Sequence, residues 1–126
     1  MTGATILVAD DSRTIRVQVR RILTTAGYDV IEASTGQEAL DRIDEQHPSL
    51  AVVDINMPGV DGYEVCQTLQ ERGTPWNEIP IVLLTSLNSN ALELLGDELG
   101  AYLRKPVQAD ELLDAVNSNV IRSTID

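Results

Sequence analysis

Apolar residues follow two alternating rhythms along this chain. Three short runs, 6–9, 50–53 and 81–84, are apolar at every position. A strand with one wet face alternates apolar and polar, whereas a continuous run marks a strand covered on both faces, as in parallel sheets. Weaker strand-like runs stand at 30–33 and 101–104. Between the runs, apolar residues recur every three or four positions. After Ser12, a helix-capping residue type, Ile15, Val19, Ile22, Leu23 and Ala26 form one stripe, and Gly27 ends it. A second helix is expected over 36–45 with Ala39, Leu40 and Ile43 facing inward. A third follows Asp61, burying Val65, Cys66 and Leu69 and stopping near Gly73. A fourth is expected over 91–99, where Gly96 costs about 1 kcal/mol relative to alanine. The last begins after Pro106 and places Leu112, Leu113, Val116 and Val120 on one face. The longest connection, 73–80, holds Pro75 and Trp76.

Strand and helix thus alternate five times without a repeat or low-complexity tract. The pattern predicts an α/β fold, a doubly wound parallel sheet with right-handed crossovers and helices on both faces. A length of 126 residues suits one domain over 1–126, with a core from about 5 to 122. With no Phe, the core must be aliphatic. The single cysteine, Cys66, has no internal partner for a disulfide, which suits a reducing, cytoplasmic location. It reads as a small apolar filler. No apolar run reaches membrane-spanning length, and the N-terminus lacks the basic region of a signal peptide. A net charge of −11 argues against nucleic-acid binding by this domain, because phosphate neutralisation needs clustered cations. Arg13, Arg16, Arg20 and Arg21 do cluster on the first helix. They read as a solvated face or as a docking surface for an acidic partner.

Ligands of doubly wound sheets bind beyond the carboxyl ends of the strands. The first strand ends in Asp10-Asp11, the third in Asp54, the fourth in Thr85-Ser86 and the fifth in Lys105-Pro106. These groups converge on one rim if the fold is right. Each like-charged pair there costs about 4 kcal/mol at 4 Å and an effective dielectric of 20. A divalent cation removes that conflict, and Mg2+ suits an open carboxylate site that welcomes phosphate oxygens. A carboxylate beside such a cation can attack phosphorus and form an aspartyl phosphate. Lys105, the only lysine, supplies a compact cation for the phosphate, and Thr85 a hydroxyl. His47, before Pro48, reads as exposed and idle, and Asp61-Gly62 as a turn and helix cap.

On these residues the chain resembles the receiver domains of two-component response regulators. The likeness spans nearly the whole sequence, through residues 6–11, 54–62, Leu84-Thr85-Ser86 and Lys105-Pro106. The stretch Asp10 to Arg16 is similar to receivers of chemotaxis and pilus-motility systems. The resemblance implies a flavodoxin-like five-stranded sheet in the order 2-1-3-4-5. It implies phosphorylation on Asp54 by a histidine kinase or histidine phosphotransfer protein, with Mg2+ or Mn2+ as cofactor. Asp11 would then be a direct metal ligand, Asp10 a ligand mainly through water, and the Asn56 carbonyl would complete the protein's share. Thr85 and Lys105 match the phosphate-binding hydroxyl and lysine, and Tyr102 matches the switch aromatic. A cis Lys105–Pro106 bond, which would aim the lysine inward, is also implied. One departure stands out. Gly100-Ala101 runs straight into Tyr102, where relatives commonly insert two residues, so the fourth helix or its exit is expected to be shortened.

The resulting expectation is a cytoplasmic switch that signals to a downstream protein target. It would be no enzyme beyond its own phosphorylation and dephosphorylation. Phosphorylation would draw Thr85 and Lys105 inward, shift the loop at Asn88, Ser89 and Asn90, and remodel the Gly96 helix. Three alternatives share parts of the pattern: an aspartate-nucleophile phosphatase, a flavodoxin-type cofactor carrier, and a receiver-like interaction module acting without phosphorylation. The phosphatase would want an acid where Asn56 stands, and the carrier a Ser/Thr/Gly phosphate loop where Asp10-Asp11 stands.

Overall fold

The computed structural model describes residues 4–86 and 101–124, and of residues 101 and 121–124 only the backbone. The expected helix over 91–99, its Gly96, the loop at 88–90 and Gly100 lie outside the described residues. Five strands, β1 (Thr5–Ala9), β2 (Asp29–Ala33), β3 (Leu50–Asp54), β4 (Ile81–Thr85) and β5 (Ala101–Arg104), form one parallel sheet. The order is β2-β1-β3-β4-β5, as the resemblance implies. The described helices are α1 (Arg13–Thr25), α2 (Gly36–Gln46), α3 (Gly62–Arg72) and α4 (Ala109–Thr124), with a 3-10 turn at Trp76–Glu78.

The continuous apolar runs are explained by two cores, one on each face of the sheet. Ile6, Val8, Val52 and Leu84 pack with Val19 and Leu23 of α1 and Leu112 and Val116 of α4. The alternate residues Leu7, Ala9, Val53 and Leu83 pack with Leu40 and Ile43 of α2 and Val65 and Leu69 of α3. Because side chains alternate across a strand, a strand buried on both faces has no position left for a polar residue. In β1, β3 and β4 polar residues therefore appear only where the strands end, and their carboxyl ends make the rim.

Two caps fall where the sequence puts them. Ser12 and Asp61 accept a backbone N–H of the first turn, from Ile15 and Glu64, and Thr35, which the sequence did not single out, does the same for α2 through Glu38. Two readings need correction. Ala26 is exposed rather than inward, because α1 ends at Thr25 and Gly27 (φ 99°) turns the chain away. His47 is exposed but not idle. It ends α2 in the left-handed region (φ 46°) and stacks on Trp76 with ring centroids 4.5 Å apart. Arg72, paired with Asp44, lies 5.5 Å over the same indole. Cys66 is half-buried in the second core, as a filler would be. Burial, aided by the Asp61 charge, pushes its thiol up to about 11, so it stays protonated at neutral pH.

Candidate cation and phosphoryl site

The strand ends do converge. Pairing of β1 with β3 aligns Ala9 with Val53, so Asp10 and Asp54 leave the sheet side by side. One carboxylate oxygen from each of Asp10, Asp11 and Asp54 lies within 4.8 Å of the others. Asp10 and Asp54 are 0% and 2% exposed, whereas Asp11 faces solvent. Two short backbone devices fix the buried pair. Asp10 Oδ1 accepts the Ser12 N–H at 2.9 Å, and Asp54 Oδ1 accepts the Asn56 N–H at 3.1 Å. Each leaves its Oδ2 facing the cluster.

Lys105 comes from the far side of the rim. The Lys105–Pro106 bond is cis, and the Lys105 N–H donates to the Thr85 carbonyl at 2.8 Å, continuing the β4–β5 pairing. Its Nζ stands 3.0 Å from Asp10 Oδ2 and 3.3 Å from Asp54 Oδ2. The contact with Asp10 is a close ion pair. Asp10 Oδ2 is fully buried, with no hydrogen-bond donor aligned on it among the described residues. A buried anionic oxygen in that state is costly unless something else satisfies it.

The electrostatics agree. Burial raises the Asp54 carboxyl above its ordinary value, the Asp10 charge raises it further, and Lys105 and the Asn56 N–H offset only part. Burial pulls the Lys105 ammonium down, but its contacts with Asp10 and Asp54 outweigh that and hold it high. One lysine against three carboxylates leaves uncompensated negative charge. Three hard oxygen donors, two buried and one exposed, sharing a single lysine, fit a magnesium-like dication.

A pH dependence follows. A carboxyl whose folded pKa is raised stabilises the fold below its unfolded value of 3.8, and that contribution is lost as pH rises through the folded value. The metal-free wild type should therefore lose thermal midpoint relative to Asp54→Asn as pH climbs above about 4. The difference should shrink on adding Mg2+. A gap that is flat in pH would contradict the charge frustration.

Thr85 is buried at the end of β4, and the structure places it on the rim with Lys105. Asn56 is exposed, one residue beyond Ile55. Tyr102 pairs in register with Leu83 but is 39% exposed, so it is not a core residue. The clustered arginines divide. Arg16 and Arg20 converge on Glu32, while Arg13 and Arg21 are exposed. Gly62, expected with Asp61 to form a turn and helix cap, also packs against the site. A Cβ there would stand 2.5 Å from the Asp54 carbonyl oxygen, so this glycine is a spacer against the site itself.

A family model described as the response regulator receiver domain matches residues 6–117. The chain belongs to that family. This receiver is 41% identical over 123 residues to the response regulator MprA of Mycolicibacterium vanbaalenii, covering 96% of the chain and 52% of that protein. It spans about half the length of the curated relatives it matches. It superposes with a TM-score of 0.88 on the signal receiver domain of a signal transduction histidine kinase from Syntrophus aciditrophicus. That pair is 28% identical, covering 98% of this chain and 94% of the other. A response regulator receiver domain protein from Clostridium thermocellum gives 0.84 at 30% identity, covering 97% and 98%. The receiver fold and the place of this chain among response regulators of two-component signalling rest on these matches. No described helix is long and apolar enough to cross a membrane.

Proposed function

We propose that this receiver takes a phosphoryl group on Asp54 from a histidine kinase or histidine phosphotransfer protein and thereby switches a surface for a downstream protein. The observation that carries the reading is the Asp54 carboxylate itself. It is buried at a strand end, within 4.8 Å of two further carboxylates, and 3.3 Å from the chain's only lysine.

A carboxylate oxygen of Asp54 attacks phosphorus in line, and the bond from phosphorus to the donor's imidazole nitrogen breaks. The nitrogen keeps the electron pair and takes up a proton. Asp10, Asp11, Asp54 and the Asn56 carbonyl would hold Mg2+ or Mn2+, which supplies charge neutralisation at the phosphoryl oxygens. Lys105, already placed between Asp10 and Asp54, follows the negative charge onto the new phosphate. Thr85, buried beside it, anchors a phosphate oxygen through its hydroxyl. Tyr102, on the neighbouring strand, is the aromatic through which the change reaches the surface. The mixed anhydride on Asp54 ends by hydrolysis, so the chain turns over its own modification and no separate substrate. The cytoplasm is the compartment where such donors act.

Incubation with acetyl phosphate and Mg2+, followed by intact mass spectrometry, tests the reading. One acid-labile phosphoryl adduct is expected, and none when the cation is chelated. Absence of an adduct at saturating reagent would overturn it.

A further inference from the structure

Asp10 is pinned at every polar group but one. Its N–H donates to the Ala33 carbonyl at 3.1 Å, its Oδ1 accepts from Ser12, and its carbonyl accepts Arg16 Nη1 at 2.7 Å. Its Oδ2 is left to the cluster, where Lys105 Nζ stands 3.0 Å away. Arg16 is held in turn, its Nε 3.2 Å from Glu32 Oε1, while Arg20 Nη1 takes Glu32 Oε2 at 2.6 Å. Glu32 lies on β2 in register with Val8 of β1, two residues before Asp10. The anchor therefore belongs to the same rigid sheet that carries the acidic pair. The Arg16 side chain is only 16% exposed, so it is no part of a solvated face.

We propose that Arg16, oriented by Glu32, is a positioning residue that preorganises Asp10 and Asp11 for the dication. The inference rests on the reading of the cluster as a cation site. The carbonyl that Arg16 holds belongs to the peptide joining Asp10 to Asp11. Rotation of that peptide would carry Asp11 away from the buried carboxylate pair. The brace blocks that rotation. A planar guanidinium can present one edge to a carboxylate and another to a carbonyl, whereas an ammonium offers a single point charge. Groups that orient metal ligands commonly matter tenfold or more in metal affinity.

The test uses the full chain with Arg16→Gln, Arg16→Lys and Glu32→Gln. Mg2+ binding is followed by calorimetry, cation-free thermal unfolding is measured alongside, and acetyl phosphate labelling is run across Mg2+ concentrations. Arg16→Gln should weaken Mg2+ binding about tenfold. The half-saturating Mg2+ for labelling should rise by the same factor, while the rate at saturating Mg2+ stays near wild type. Arg16→Lys should restore only part of the loss. Glu32→Gln, which keeps an oxygen for Arg16 but removes the charge, should fall between. Unchanged Mg2+ affinity in Arg16→Gln and Glu32→Gln overturns the proposal alone. So does a saturating rate that falls in step with the thermal midpoint, since that marks a merely structural residue. A wild type that binds no Mg2+ overturns the cation reading, and the proposal with it.

Discussion

Asp54→Asn should abolish the phosphoryl adduct completely while leaving the fold intact and, without metal, somewhat more stable. The amide has no nucleophilic oxygen of carboxylate strength, so the chemical step disappears rather than slows. It is nearly isosteric, and its side-chain oxygen can still accept the Asn56 N–H that now reaches Asp54 Oδ1 at 3.1 Å. The stability change follows from the charges. Asp54 is buried, and both burial and Asp10 disfavour its ionised form. Removing that charge relieves more repulsion than it loses in attraction to Lys105, which keeps Asp10 at 3.0 Å. Intact mass after acetyl phosphate treatment reads the first effect and urea unfolding the second. An adduct persisting in Asp54→Asn would move the acceptor elsewhere.

Gly62→Ala should destabilise the protein by about 1–3 kcal/mol, the usual cost of overpacking a filled site. Helix propensity alone predicts the opposite sign, since alanine is favoured over glycine by about 1 kcal/mol within a helix. Packing decides. The new Cβ would meet the Asp54 carbonyl oxygen at 2.5 Å and Ile55 Cα at 2.9 Å, both backbone atoms that cannot swing aside. The start of α3 is also tied to the same segment, because the Gly62 N–H donates to the Ile55 carbonyl at 3.0 Å. Relief of the clash must therefore either break that bond or displace Asp54. We expect phosphorylation to fall together with stability, measured by labelling rate and urea midpoint on one preparation. Gly73 offers the contrast. Its added Cβ would meet nothing within 4 Å, and the cost there comes from φ +74° instead. Wild-type labelling and stability in Gly62→Ala would show that the loop yields more easily than its contacts suggest.

The hydrophobic pattern made the layer architecture legible because parallel strands buried on both faces leave no ambiguity of face. It stopped one residue short at the ends that matter. Asp54 and Thr85 are polar, so the apolar runs end at Val53 and Leu84, yet backbone pairing carries both residues into the sheet. The rim residues were legible from their position after each strand. Their supports were not. Arg16 and Glu32 are joined by a crossover that brings α1 against β2, and nothing in residue spacing says which arginine of the cluster faces inward. Gly62 was hidden by its company, since Asp61 does cap α3 and the pair reads fully as a turn. The role of His47 is invisible in the sequence because its stacking partner, Trp76, lies in a connection whose path no periodicity reveals.

The central claim is that the acidic rim is one cation site, and paramagnetic NMR addresses it most directly. Substoichiometric Mn2+ added to the labelled wild type should broaden the amides around Asp10–Asp11, Asp54–Asn56 and Lys105 first, with excess Mg2+ reversing the effect. Asp11→Ala should weaken it strongly. Broadening that begins at other carboxylates, or that leaves the Asp10 and Asp54 segments untouched, would contradict the account.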